Sequence, residues 1–209
     1  LLAGSSPTEG AATAAETGEN LLLRNEHFYD GLLAGRSPPS RPPSSAVNLV
    51  GFVPGPGREE LARLLAKIGI EVNAFFLPDI HLEHLDDFAR AACNVFYPVA
   101  QRASAYQTIE RSTGLDSLTA LSPHGWQATR QWLREIAVPF RLEERAESVA
   151  EEWLADARPQ VDLLQQQAAE ESLLMVVSEL DLEYLLDPGR TLGIPLLDAV
   201  EEMGFPLQI

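Results

Sequence analysis

An alternation of short apolar runs with amphipathic segments, between residues 46 and 140, most constrains what this chain can fold into. The run AVNLVGFV leads into a glycine- and proline-rich turn and then into REELARLLAKIG, whose leucines recur at helical spacing before Gly69 ends the pattern. IEVNAFFL and CNVFYPV continue the pattern as two more predicted strands. Continuous apolar runs are typical of strands buried on both faces, and short strand-to-helix connections favour parallel strands. The sequence therefore predicts an α/β fold with a parallel sheet covered by helices on both faces.

Further amphipathic segments predict the helices that accompany these strands. They are HLEHLDDFARAA, AQRASAYQTIERSTG and WQATRQWLREIA. The charged segment RLEERAESVAEEWLADARPQVDLLQQQAAEE predicts one long helix, which we expect Pro159 to kink. Its thin apolar stripe suits a connector between two bodies. The stripe consists of Val149, Trp153, Ala157, Val161 and Leu164.

Composition divides the remainder of the chain. Residues 1–20 are rich in Gly, Ala, Ser, Thr and Glu, which predicts a flexible tail. Residues 21–45 predict a short helix followed by the proline-rich linker RSPPSRPPSS. We expect the main α/β domain at 46–140 and the connecting helix at 141–171. Residues 172–209 repeat the order of helix, glycine stop and strand, as in AVEEMGFPLQI, which predicts a partial second α/β unit.

The net charge of the chain argues against two classes of binding surface. With 15 Lys+Arg and 31 Asp+Glu among 209 residues, the formal charge is −16 at pH 7, and like charge repels both nucleic acids and anionic membranes. No window approaches the roughly 20 apolar residues that a membrane helix needs, and the first residues lack the basic flank and apolar core of a signal peptide. We therefore expect a cytoplasmic protein with no nucleic-acid partner and no membrane span.

The chain contains one cysteine, Cys93, in the apolar setting ARAACNVFYPV. A single cysteine allows no disulfide within the chain and no cluster held by several thiolates from this chain. Because the setting does not supply the basic neighbour that a reactive thiolate needs, we expect Cys93 to be a small buried hydrophobic side chain.

The turn after the first predicted strand, GFVPGPG, has two interpretations. Gly51, Gly55 and Gly57 do not form the G-x-G-x-x-G pattern of dinucleotide-binding proteins. Pro54 and Pro56 remove two of the amides that would bind a phosphate, and no lysine follows. The turn is therefore either a tight strand-to-helix connection or a ligand-binding loop, because ligands of open α/β sheets bind at the carboxyl ends of strands.

The histidines suggest two further candidate sites. His81 and His84 stand three positions apart beside acidic residues, so two imidazoles could share a helix face and bind zinc or nickel. Because no third ligand is suggested, we expect ordinary solvated side chains and no metal site. His124, in the loop SPHG before a predicted helix, is a candidate proton donor or ligand, or else an ordinary loop histidine. Trp126 and Trp132 are predicted to anchor that helix in the core.

Several short motifs occur in the order found in one known family. HFYDGLLAG, VNLVGFVPGPGREELARLLAKIGIEVNAFFL, ARAACNVFYP and SPHGWQATRQWLREIA resemble the second Rossmann-like domain of the nitrogenase component 1 superfamily, which includes dark-operative protochlorophyllide and chlorophyllide reductases. The matching positions are Phe28, Gly31, 47–51, 69–72, Asn94, Val95 and 123–134. The resemblance covers residues 24–140 and continues weakly from Ser172. It implies a Rossmann-like parallel sheet flanked by helices.

The resemblance also implies cofactors and partners. Members of this superfamily have three Rossmann-like domains, pair with a related subunit, and receive electrons from an ATP-dependent iron–sulfur reductase. The domain that carries the cluster cysteines in the family is not among these residues, so we expect this chain alone to bind no cofactor. Pro98 stands where nitrogenase has a cofactor-binding cysteine. The resemblance transfers a site-facing role to Pro98, His124 and Gly125, and the strand-end turn adds Gly55 and Gly57 as candidate cofactor-binding positions.

The leading hypothesis is a fragment or a degenerate relative of a nitrogenase-like oxidoreductase subunit that helps form a cofactor or tetrapyrrole pocket and is inactive alone. The alternative is a non-catalytic α/β binding or scaffold module that acts through protein–protein assembly, using its acidic surface and the long helix. The expected partner is a related subunit or a second copy of the chain. A weaker third hypothesis is metal chelation by His81 and His84.

Overall fold

The structure is a computed structural model that describes residues 27–33, 45–82, 85–99, 102–171, 176, 178, 182, 185–186 and 195–205. Residues 27–33 are helical. The elements that follow are β1 (Ala46–Val50), α1 (Pro56–Ile68), β2 (Glu71–Phe76), α2 (Leu85–Phe88), β3 (Cys93–Phe96), α3 (Ala103–Thr113), β4 (Asp116–Thr119), α4 (Trp126–Ala137), α5 (Glu143–Ala169) and α6 (Leu196–Glu202). A 3-10 turn, Val138–Phe140, joins α4 to α5.

The four strands form one parallel sheet in the order β2-β1-β3-β4. The predicted parallel α/β fold is therefore confirmed. From β1 the chain moves to β2 on one side and then crosses to β3 on the other side, so the direction of winding reverses between β1 and β3. Every residue of β1 is buried, which explains why its sequence is continuously apolar apart from Asn48.

Helices cover both faces of the sheet, each above a separate apolar core. One core joins β1 and β3 to α1, α4 and the first turns of α5, with Trp132 fully buried at its centre. The other joins the remaining faces of the strands to α2, α3 and helical residues 27–33, with Phe76 and Phe88 in contact at 5.0 Å between ring centroids. Burial on both faces is what fixes the sheet between its two helical layers.

A ladder of asparagine side chains crosses the sheet where apolar residues would be expected. Asn73 Nδ2 donates to Asn48 Oδ1 at 2.8 Å, and Asn48 Nδ2 donates to Asn94 Oδ1 at 3.0 Å. Asn94 Nδ2 donates in turn to Thr113 Oγ1 at 3.4 Å. Asn48 and Asn94 are fully buried, so each amide depends on its neighbours for hydrogen bonds. The pairing of β1 with β2 shifts register between Val47 and Asn48, next to the point where this ladder crosses.

The helix predicted over 81–92 is much shorter in the structure. Only Leu85–Phe88 is helical within the described part of that segment, which omits residues 83 and 84. After Phe88 the chain leaves the helix: Arg90 N donates to Asp87 O at 2.9 Å, and Ala92 N donates to Ala46 O of β1 at 2.8 Å. Asp87 O and Phe88 O also accept from Asn73 Nδ2 at 2.8 Å and Asn48 Nδ2 at 2.9 Å, so the asparagine ladder holds the end of this helix against the sheet.

In the segment 141–171, where a long helix is predicted, α5 (Glu143–Ala169) is a single element with Pro159 inside it. Its first turns belong to the core, because Val149 and Ala150 are buried against α1 and α4. The predicted apolar stripe continues on the same face as far as Val161, whereas Leu164 is 57% exposed. The N-terminal part of α5 is thus a packed layer of the sheet domain as well as a connection.

The second α/β unit predicted at 172–209 lies mostly outside the described residues. Residues 182 and 185–186 are helical, and α6 (Leu196–Glu202) covers the predicted AVEE helix. The tail predicted at 1–20 and the linker RSPPSRPPSS also lie outside them. Across the described ranges, the helices are too short or too polar for any of them to cross a membrane.

We predict that Asn48→Ala lowers the free energy of unfolding by about 2–3 kcal/mol, because it leaves buried partners on both neighbouring strands without a hydrogen bond. Urea denaturation measures the change. Gln131→Ala is the matched control: its side-chain amide bonds Glu135 at 2.8 Å on the exposed face of α4, and its loss should change stability by less than about 0.5 kcal/mol. Equal effects of the two substitutions would contradict a structural role for the ladder.

Candidate functional site

A cleft of about 790 Å³ opens at the carboxyl ends of β1 and β3. Its walls are the β1–α1 turn with the first turns of α1, the residues after β3, the loop before α4, and the middle of α5. This is the point where the winding direction of the sheet reverses. In open α/β folds the loops diverge at such a point and leave a crevice that ligands use.

The cleft is lined mainly by apolar side chains. On α5 the lining residues Trp153, Ala157 and Val161 recur every four positions and so form one helical stripe. Phe52 and Trp126 contribute aromatic surface on the opposite sides. An apolar lining with few polar groups is typical of small-molecule and cofactor sites.

The structure places four of the five predicted site residues around this cleft. Gly55, Gly57, His124 and Gly125 line it, whereas Pro98 does not. The residues on either side of Pro98, Tyr97 and Val99, line it instead. The glycine-rich turn is therefore part of a cleft wall as well as a strand-to-helix connection.

Sequence reasoning missed several lining residues. Tyr97 and Arg102 were not singled out, and Trp126 was predicted to be in the core, although it is half-buried and lines the cleft. Trp132 alone is fully buried as predicted. The apolar stripe of α5 was recognised, but sequence alone did not indicate that it faces a cleft. Only the folding of α5 back over the strand ends brings these residues together.

Gly51 determines the direction of the β1–α1 turn. Its φ is +91°, and a Cβ at this position would overlap the Tyr106 hydroxyl. The Gly51 N–H donates to Phe76 O at 2.8 Å, and its carbonyl accepts from Arg102 Nη1 at 2.8 Å. The turn is thus held against both β2 and the start of α3, which sets where the cleft begins.

Two side chains, Ser122 and Tyr97, stand in line behind His124. Ser122 Oγ donates to the Tyr97 hydroxyl at 3.2 Å, and that hydroxyl lies 3.1 Å from His124 Nε2. Burial raises the pKa of Tyr97, and the bond from Ser122 and the charge of Arg102 offset part of this rise. Burial also lowers the pKa of His124 below its ordinary value. Both side chains are therefore neutral at pH 7.

The first turn of α4 is capped by a side chain from far along the chain. Glu202 of α6 accepts hydrogen bonds from Trp126 N at 2.7 Å and Gln127 N at 3.1 Å. Burial raises the pKa of the Glu202 carboxyl; these two bonds lower it in part, and Asp198 raises it. Gln165 Nε2 donates to Glu202 O at 3.0 Å, which links α6 to α5 as well. The carboxylate meets the amides that a helix N-terminus leaves unpaired.

The donor set of the cleft does not fit a metal cluster held by this chain. Cys93 is buried at the first residue of β3, at the opposite edge of the sheet, and burial with the nearby Asp116 raises the pKa of its thiol to about 11. His81 is exposed and His84 is not described; in the described part of the chain no His, Cys, Asp and Glu side chains gather into a group of three or more. One imidazole and an apolar lining fit an organic ligand better than a cluster.

Comparison with known proteins assigns the family. The model of the family described as nitrogenase component 1 type oxidoreductase matches residues 8–203. The chain belongs to this family. No curated protein sequence matches the chain.

Two solved structures of nitrogenase Cp1 share the fold of this chain. The structure at pH 5 has a TM-score of 0.56 and 21% identity, and the match covers 70% of this chain and 31% of the other. The structure at pH 6.5 has a TM-score of 0.58 at 21% identity, covering 70% and 29%. This chain therefore spans about a third of the nitrogenase chains that it matches.

We predict that Gly51→Ala lowers the free energy of unfolding by about 2–3 kcal/mol, since the substitution combines a left-handed backbone with a steric overlap at Tyr106. Adding Tyr106→Phe should recover part of the loss by removing the overlapping hydroxyl. Gly57→Ala is the control, because its φ is not positive and nothing lies within 4 Å of its added Cβ. Thermal or urea unfolding that ranks Gly57→Ala with Gly51→Ala would contradict this account.

We predict that Glu202→Ala destabilises the start of α4 by about 1–2 kcal/mol, because two backbone donors lose a charged acceptor. Hydrogen exchange at Trp126 and Gln127 should accelerate in the variant. Glu201→Ala removes the exposed neighbouring carboxylate and should leave both amides unchanged. Unaltered exchange in Glu202→Ala would show that α6 does not cap α4 in solution.

Proposed function

We propose that this chain forms one wall of a cofactor or tetrapyrrole pocket in a nitrogenase-like oxidoreductase subunit. The observation that carries the proposal is the apolar cleft of about 790 Å³ at the reversal point of the sheet. That volume falls within the range of about 300–1,000 Å³ typical of ligand sites. Family membership over residues 8–203 supports an oxidoreductase context for the ligand.

The lining of the cleft supports a flat organic ligand with few acidic groups. Trp126 and Trp153, both half-buried, line the cleft, and planar rings pack favourably on aromatic side chains. Arg58, Arg102 and Glu60 also line the cleft. Arg58 lies 3.8 Å from Asp79, and Arg102 Nη1 donates to the Gly51 carbonyl at 2.8 Å. A guanidinium has five donors, so Arg102 keeps others that suit a ligand with a carboxylate.

In this proposal, redox chemistry requires groups beyond the cleft. The described lining offers one imidazole and no thiolate, so electrons are supplied from elsewhere in an assembly. We propose that a related subunit or a second copy of the chain completes the pocket, and that an ATP-dependent iron–sulfur reductase delivers the electrons. This chain alone then binds ligand without turning it over.

The test is ligand binding by the intact protein together with any subunits that copurify with it. Protochlorophyllide and protoporphyrin IX serve as probes, and quenching of tryptophan fluorescence reports occupancy because Trp126 and Trp153 line the cleft. Ala157→Phe fills the cleft from α5 and should weaken binding by about tenfold or more. Ala155→Phe places the same side chain on the exposed face of the same helix and should bind like the unsubstituted protein.

Two results would contradict the proposal: no saturable quenching by either probe, or equal binding by Ala157→Phe and Ala155→Phe. The first result would favour the second candidate, a non-catalytic module that acts by assembly. The observation that favours this candidate is the exposure of Leu163 and Leu164, 55% and 57%, on the part of α5 beyond the cleft.

A further inference from the structure

The hydrogen-bonding partners of Tyr97 favour one of the two positions for the hydrogen of His124. Ser122 is fully buried, and its hydroxyl donates to the Tyr97 oxygen. The Tyr97 hydroxyl therefore keeps its own hydrogen for its other partner, His124 Nε2, at 3.1 Å. A neutral imidazole whose Nε2 accepts must carry its hydrogen on Nδ1.

The loop that carries this histidine is held in place from both ends. The His124 backbone N–H donates to Ser122 O at 2.9 Å, which closes a three-residue turn over Pro123. After the loop, Glu202 caps the first amides of α4. The ring of His124 also packs against the ring of Tyr97, with 6.0 Å between their centroids. Tyr97 in turn packs edge-on against Phe52, with 5.2 Å between centroids.

We propose that His124 is a fixed, neutral hydrogen-bond donor of the cleft, whose Nδ1–H binds an acceptor oxygen of the ligand, and that Tyr97 is the positioning residue that sets this tautomer. Because Nε2 already accepts from Tyr97, that nitrogen is not offered to a metal ion. The ligand class is an organic molecule with a carbonyl or carboxylate oxygen. This donor role rests on the proposed function, whereas the tautomer rests only on the described contacts.

The charged groups nearest to this arrangement agree with a neutral ring. Burial keeps the pKa of Tyr97 raised despite the Ser122 hydrogen bond and the charge of Arg102, so its hydroxyl remains a donor, and the Glu202 carboxylate is engaged by the amides of α4. His124 thus lacks a carboxylate partner among its hydrogen bonds in the described chain. Without such a partner, burial favours the uncharged imidazole.

The tautomer is measured by nitrogen NMR on intact protein labelled at histidine. The chain has 4 histidines, and the signal lost in His124→Gln identifies the relevant ring. We expect an unprotonated Nε2 and a protonated Nδ1 at neutral pH. Tyr97→Phe should shift the population towards Nε2–H, and Ser122→Ala, which removes the donor that holds Tyr97 in its donating orientation but leaves the Tyr97 hydroxyl in place, should shift it less. A protonated Nε2 in the unsubstituted protein, or no change in Tyr97→Phe, would overturn the assignment.

The donor role is tested with protoporphyrin IX, which carries two carboxylates. Binding should shift the Nδ1–H resonance, and His124→Leu should bind about five- to tenfold more weakly. His124→Asn, whose amide N–H occupies a position similar to Nδ1–H, should bind within about twofold of the unsubstituted protein. If Ala157→Phe blocks binding, but binding neither shifts the resonance nor is weakened by His124→Leu, the donor role is overturned and the proposed function is retained. Absence of binding would overturn both, while the tautomer is decided separately by the ligand-free spectra.

Discussion

The asparagine ladder is the interaction on which the rest of this structure depends. Asn73, Asn48 and Asn94 link three neighbouring strands through side-chain hydrogen bonds of 2.8 and 3.0 Å. A shift of strand register would leave these buried amides without hydrogen bonds, which costs free energy of folding. Apolar side chains in the same places would not impose that cost, so the amides restrict the register more strongly. The ladder therefore sets the alignment of the strands, and the alignment decides where their carboxyl ends and the cleft lie. It also holds the end of α2 against the sheet through the carbonyl groups of Asp87 and Phe88.

The cleft is formed by segments that are distant in the chain. The β1–α1 turn and the residues after β3 meet because parallel strands bring their carboxyl ends to one edge. The remaining wall comes from α5, whose first turns are anchored in the core by Val149 and Ala150. From that anchor the helix extends over the strand ends. α6 then returns to cap α4 through Glu202, so the loop that holds His124 is supported by a residue 78 positions later in the sequence.

The polar groups of the site follow from the same packing. Gly51 is required twice, by its left-handed backbone and because Tyr106 and Arg102 occupy the space where a side chain would lie. Arg102 is thereby brought to the cleft, and its bond to the Gly51 carbonyl joins α3 to the turn. Tyr97 supports His124 from the end of β3. The cleft thus combines apolar walls with a small number of donors whose positions are set by contacts outside it, as in other preformed ligand sites.

Sequence by itself determined the parallel α/β fold, the helices α1, α3, α4 and α5, and the convergence of Gly55, Gly57, His124 and Gly125, because strand ends of a parallel sheet meet at one edge. It predicted that Pro98 faces the cleft, whereas Tyr97 and Val99 line it, and it overestimated the length of α2. Other features of the site were decided only by the tertiary structure. Local periodicity does not record contacts between segments far apart in sequence. Such contacts decide the direction of one side chain after a strand, the pairing of Tyr97 with His124, and the capping of α4 by Glu202.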